Sequence, residues 1–170
     1  FYRWGQGINF EPADGLAPFL GRSREFEGGF TLRPASQLRF DQRYIYARLA
    51  TEDGELDGVP ADRTVFDNHI LRSKANYQFT REWSARFIVD YEAVLPDESL
   101  VALERSKRLN FDVLVTYQAN PWTAVYVGYT DAYADLRVDP LARPPIVRGG
   151  GPTTSVGRQV FVKVSYLLRY

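Results

Sequence analysis

The chain has 170 residues and balances 21 basic side chains against 21 acidic ones, with one histidine and neither cysteine nor methionine. That length fits a single domain over residues 1–170, and zero net charge removes any global attraction to nucleic acid. Without cysteine there is no disulfide framework, thiolate nucleophile or thiolate metal site, and the lone His69 offers no histidine cluster, so we expect no metal and no cofactor.

Tyr, Phe and Trp make up 15% of the residues at a mean hydropathy of -0.32, a combination that strands carry better than helices. The first element, Tyr2 to Phe10, holds Tyr2, Trp4, Ile8 and Phe10 in phase. Phe26 to Arg33 sets Phe26, Phe30 and Leu32 against Glu25, Glu27, Thr31 and Arg33. Leu38 to Leu49 sets Leu38, Phe40, Tyr44 and Tyr46 against Arg39, Asp41 and Arg43, and leaves Gln42 as an unexplained polar residue on the apolar phase. Leu71, Ala75, Tyr77 and Phe79 then alternate with Arg72, Lys74, Asn76 and Gln78, and Ala85, Phe87, Val89 and Tyr91 with Arg86, Asp90 and Glu92.

Val113 to Thr130 carries no charge, yet Gln118, Asn120 and Pro121 interrupt it. It therefore reads as strand, turn and strand rather than a spanning helix. Phe111, Val113, Val115 and Tyr117 mark one face, with Asn110, Asp112, Thr116 and Gln118 on the other. The last element, Gln159 to Tyr170, sets Val160, Val162, Val164, Tyr166, Leu168 and Tyr170 against Gln159, Lys163, Ser165 and Arg169; only Phe161 and Leu167 blur it.

Links between these segments alternate in length. Short ones fall near Pro34 to Ser36, Thr80 to Trp83 and Ala119 to Trp122; long polar ones fall at Glu11 to Arg24, Thr51 to Val65, Leu95 to Arg108 and Leu136 to Gly157. Short turns at one end and long loops at the other predict an all-β fold: an antiparallel up-and-down transmembrane β-barrel of about eight strands, or the closing strands of a larger barrel. A soluble lipocalin-like barrel has the same alternation with its sense reversed. Two features favour the membrane version. Tyr77, Trp83, Tyr117, Trp122 and Tyr170 fall near the short-turn end and Tyr46, Tyr91 and Tyr129 near the long-loop end, as interfacial girdles would. Arg supplies 18 of the 21 basic residues, the side chain suited to ion pairing inside a lumen.

On this reading Glu27, Arg43, Arg72, Lys74, Arg86, Asp90, Asp112 and Lys163 form a lumen ion-pair network, with Arg72 facing Asp90 and Glu27 facing Arg43. Arg48, His69 and Asp131 stand on the apolar phase toward the long-loop ends, where a basic side chain facing lipid costs only about 0–1 kcal/mol. Asp67, His69 and Ser73 are the residue types of an acid, base and nucleophile set, but 69 and 73 lie about 13 Å apart along a strand, so no catalytic residue is assigned. The acidic Thr51 to Gly58 segment offers Glu52, Asp53, Glu55 and Asp57 to a divalent cation without the spacing of an EF-hand, and reads as a solvated loop. Arg148 to Gly151 reads as a flexible loop tip.

The closing segment KVSYLLRY, Lys163 to Tyr170, resembles the C-terminal signature of bacterial outer-membrane barrels, with Val164, Tyr166, Leu168 and the terminal Tyr170 as the assembly signal. That resemblance implies recognition by the barrel-assembly machinery of a Gram-negative outer membrane, with both termini periplasmic. LRSKANYQFTREWSARFIVDYE with NFDVLVTYQANPWTAVYVGYTDAY is similar to the C-terminal barrel region of large uncharacterised outer-membrane proteins that carry an N-terminal carbohydrate-binding-like domain. It implies that this chain closes a larger barrel. The expected function is a non-enzymatic structural or anchoring role; the alternatives are a porin-like passive pore for small solutes and a lipid-modifying barrel enzyme. Expected partners are outer-membrane lipids and lipopolysaccharide, with the long loops open to surface proteins or glycans.

Overall fold

A computed structural model describes residues 1–167 and is all-β, with no helix among the described residues. The strands are β1 (Tyr2–Asn9), β2 (Phe19–Ala35), β3 (Leu38–Thr51), β4 (Thr64–Gln78), β5 (Trp83–Pro96), β6 (Ser106–Asn120), β7 (Thr123–Ala134), β8 (Leu136–Val138), β9 (Ile146–Arg148) and β10 (Thr154–Tyr166). Eight form one antiparallel sheet in the order β1-β2-β3-β4-β5-β6-β7-β10, so successive long strands are neighbours in the up-and-down manner expected. β1 and β10 are its two edges.

Strand lengths differ from the expected ones where polar residues hide the pattern. β2 begins at Phe19, because its ladder with β1 runs unbroken from Tyr2↔Phe26 to Asn9↔Phe19 through Arg22, Ser23 and Arg24. Gly21 permits it: a Cβ there would sit 2.7 Å from the Ala50 carbonyl oxygen and 3.1 Å from the Leu49 side chain. β10 begins at Thr154, ahead of an irregularity between Ser155 and Gly157 that shifts the alternation by one residue. Phe161, the residue that blurs that strand, lies opposite Gly128 of β7, and its ring occupies the space a Cβ would take.

The link after β7 corrects the expectation of an irregular loop. β8 and β9 pair there as a small hairpin, Leu136↔Arg148 to Val138↔Ile146. Arg148 is consequently a strand residue, and the Gly149 N–H donates to the Asp135 carbonyl oxygen. Arg148 also reaches the fully buried Asp135 carboxylate at 3.3 Å.

Contacts divide the chain into two compact units. The first comprises Phe1–Gly28, Tyr44–Leu71 and Glu92–Lys107, and holds three of the long links. These are folded, not loose. Phe19, Leu49, Val65, Leu100 and Val101 form a buried cluster, with Leu16, Leu56, Val59, Phe66 and Leu103 packed on it. Leu56 and Val59 therefore anchor the acidic loop read from sequence as solvated, and Glu55 accepts the Leu20 N–H while Glu52 accepts the Gln6 amide. Buried Thr51 organises the same loop: its hydroxyl donates to the Pro60 carbonyl at 2.7 Å and accepts the Arg63 N–H at 3.0 Å. Backbone bonds from Ala13 to Leu100 and from Ala102 to Glu11 join the first and third links.

The second unit comprises Gly29–Arg43, Arg72–Tyr91 and Arg108–Tyr170. The β6–β7 ladder runs from Arg108↔Ala134 to Asn120↔Thr123, and the β7–β10 ladder from Thr154↔Ala134 to Tyr166↔Thr123.

Candidate functional site

Alternation dictates that a strand with Arg and Asp at every second position presents a charged face, and neighbouring strands decide whether those charges meet. On β4 and β5 they do: the Arg72 guanidinium donates through Nε and Nη2 to both Asp90 carboxylate oxygens, at 2.6 and 2.7 Å. This planar two-point contact uses the fork that distinguishes Arg from Lys. Asp112 lies close enough to act on Arg72 electrostatically, and accepts the Thr130 hydroxyl at 2.6 Å. Asp41 on β3 accepts the Thr31 hydroxyl at 2.6 Å and Arg39 Nε at 3.0 Å, with Lys74 also acting on it.

Of the other residues expected in this network, Glu27 and Arg43 are both engaged. Lys163 stands 6.0 Å from the ring centre of Tyr126, its partner across the β7–β10 ladder, in place of a carboxylate. Arg86 makes no side-chain hydrogen bond or ion pair among the described residues.

Several polar groups on the apolar phase have partners. Gln42, unexplained in the sequence, accepts the Ser73 hydroxyl at 2.7 Å and donates to the Arg72 carbonyl at 3.1 Å. His69 Nδ1 is 2.8 Å from the Tyr44 hydroxyl, and its ring lies against Tyr44 and Tyr46. Asp67 accepts the Tyr46 hydroxyl at 2.8 Å. Acid, base and hydroxyl thus each have a different partner, and the three do not form a relay.

Asp131, 1% exposed, has the densest set of donors: the hydroxyls of Tyr129 (2.7 Å), Tyr133 (3.0 Å) and Ser155 (2.7 Å), with Arg158 Nε at 2.9 Å. Sequence reading placed Asp131 as an exception without finding this set. The signal was available in Tyr129, Asp131 and Tyr133 at two-residue spacing, which one strand face must present together. In the loop beyond β5, Ser99 and then the Arg63 guanidinium hold the Asp97 carboxyl below its ordinary range.

Among the expected interfacial aromatics, Trp83 and Tyr117 are brought together with ring centres 4.7 Å apart, and Tyr77 packs edge-on against Phe79. The Trp122 carbonyl accepts the Leu167 N–H. Val164 and Tyr166 of the expected assembly signal are exposed; Leu168 and Tyr170 lie outside the described residues. Among those described, no group of three acidic or histidine residues is placed to hold a metal ion. Comparison with protein-family models, with curated proteins and with solved structures found no match to this chain.

Proposed function

We propose that this chain is an integral outer-membrane β-barrel protein with a structural or anchoring role, its sheet closed through the β1 and β10 edges either directly or by further strands. The observation that carries this reading is the exposed apolar face of the long strands. Phe26, Phe30, Leu32, Leu71, Phe87, Val160, Val162 and Val164 are all exposed at alternating positions, while the opposite face holds the Arg72–Asp90 fork and its neighbours. A water-facing sheet has the reverse arrangement, and an apolar surface of this extent needs lipid or a partner. The Trp83–Tyr117 pair near the short turns fits an interfacial girdle. In the closed barrel the charged face becomes the lumen, both termini are periplasmic, and the folded long links face outward toward lipopolysaccharide and surface partners. The resemblance of the sequence Lys163 to Tyr170 to an outer-membrane assembly signal supports insertion by the barrel-assembly machinery.

The test is extraction and reconstitution. The purified chain is expected to need detergent and to incorporate into lipid vesicles; a soluble monomer without detergent refutes the membrane assignment. In planar bilayers an ion-paired lumen gives no steady conductance, and regular openings would replace the anchoring role by a pore.

A further inference from the structure

Three arginines gather around Asp62 at the long-loop end of β2 and β3, two at its carboxylate and one at its main-chain carbonyl. Arg22 and Arg24 stand two residues apart on β2, paired across the ladder with Gln6 and Trp4, so they share a face with Tyr2, Trp4 and Phe26. Arg48 precedes Leu49 on β3, and Leu49 faces the other way, toward Gly7 and Gly21. All three converge on Asp62. Arg22 and Arg24 approach its carboxylate at 3.7 and 3.9 Å, and Arg48 donates to its carbonyl oxygen at 3.1 Å.

This assembly differs from the close ion pairs among the described residues. Arg72–Asp90 and Arg63–Asp97 close to 2.6 Å with one guanidinium per carboxylate, whereas here two guanidiniums share a single carboxylate at longer range and a third donates to the main-chain carbonyl of the same residue. The side chains of Arg22 and Arg24 make no direct hydrogen bond among the described residues, and Arg48 Nε is buried without a partner. Asp62 itself is fixed, with φ at 62° and its N–H donated to the Thr51 carbonyl. Guanidiniums that make no direct hydrogen bond match an oxyanion that accepts several charge-assisted bonds at once, which is the chemistry of phosphate.

We propose that Arg22, Arg24 and Arg48 form a site for the phosphate group of a membrane lipid, with Asp62 as the internal carboxylate that the phosphate displaces. The lipid source rests on the membrane reading above. Trp4 and Phe26 are 73% and 41% exposed on the same face, and the cluster lies at its long-loop end, at headgroup level if that face meets lipid. The Asp62 carboxylate keeps the arginines compatible with folding before any lipid arrives.

The experiment titrates the full chain, in neutral detergent, with a short-chain phosphatidate, with the matching diacylglycerol and with inorganic phosphate, by calorimetry. Saturable binding of phosphatidate is expected, with none of diacylglycerol and at most weak binding of inorganic phosphate. The Arg22→Gln/Arg24→Gln double variant should weaken phosphatidate binding by about tenfold or more. Asp62→Asn, which tolerates the left-handed backbone, should tighten it several-fold by removing the competing charge. Arg137→Gln/Arg143→Gln removes the same charge from the region of the β8–β9 hairpin and should change nothing. Inorganic phosphate binding as tightly as phosphatidate would overturn the lipid assignment, and phosphatidate binding unaffected by the Arg22/Arg24 variant would overturn the site. The membrane reading fails on a different observation, solubility without detergent, and the phosphatidate titration of the Arg22/Arg24 variant reads the arginine site in either case.

Discussion

Asp131 gives the sharpest test of how the last strand is held. Its carboxylate is 1% exposed and joins β7 to the edge strand β10 through Ser155 and Arg158, while Tyr129 and Tyr133 hold it from its own strand. Asp131→Ala removes the acceptor for all four donors together. A charge-assisted hydrogen bond contributes about 1.5–3 kcal/mol, but such bonds are not additive within one network. Breaking a buried ion pair costs about 3–5 kcal/mol when the surviving charge is trapped. Arg158 is 61% exposed and can turn to solvent, so the expected destabilisation is lower, about 2–4 kcal/mol. Asp131→Asn keeps one acceptor oxygen but aims an amide at the guanidinium, for a loss of about 1–2 kcal/mol.

The assay is urea denaturation of the detergent-solubilised chain followed by tryptophan fluorescence, with hydrogen exchange of the Ser155 to Val160 amides as a local readout. The order expected is wild type, Asn, Ala, with exchange rising first in β10. An Asp131→Ala/Arg158→Ala cycle should show coupling, because each single variant already removes the shared contact. An alanine variant within about 0.5 kcal/mol of wild type would refute the argument that this carboxylate fixes the edge.

Leu100→Ala, at a position 2% exposed in the cluster under the long links, should cost about 2–5 kcal/mol and speed exchange at Ala13 and Ala102. Gly128→Val should push the Phe161 ring off its site at about 1–3 kcal/mol, and adding Phe161→Ala should recover part of the loss; denaturant midpoints of the three variants decide this. The Asp97 carboxyl is lowered by Ser99 and Arg63, so its contribution is complete above its unfolded value near pH 4 and disappears as the pH falls through the lower native value. Wild type and Asp97→Asn should therefore differ by a constant midpoint at neutral pH and converge in acid; a gap that widens in acid would reverse the sign. Since the chain has no cysteine, single cysteine pairs placed along Tyr2–Asn9 and Thr154–Tyr166 should form intramolecular crosslinks if those edges pair directly, and none if further strands intervene.

The strand content was legible because one physical rule, alternation of apolar and polar side chains, governs most of the chain. Tight turns were equally readable, since Pro34, Asn120 and Pro121 leave few backbone options. The folded long links were not. Leu56 and Val59 stand singly in a polar stretch, while Leu16, Leu100 and Leu103 fall in short apolar runs without strand alternation, and only tertiary contact reveals that they pack together. The Arg22, Arg24, Arg48 and Asp62 cluster was hidden for the same reason: its members come from two strands and a turn.

The exceptions to alternation are more instructive than the rule. Gln42 and Ser73 both break the apolar phase of their own strands, and they bond to each other. Asp131 and Arg158 both break it, and they are register partners. Phe161 is apolar on a polar phase, opposite a glycine that leaves room for its ring. In each case the offending residue answers another on the neighbouring strand, so the unit that satisfies burial and hydrogen bonding is the cross-strand pair, not the strand. A strand read alone counts such residues as noise, whereas two strands read in register turn them into constraints. The tight turn at Asn120 and Pro121 sets the β6–β7 register, and that register alone brings Asp112 opposite Thr130, so a hairpin whose turn residues are recognisable carries part of its cross-strand pairing in its sequence.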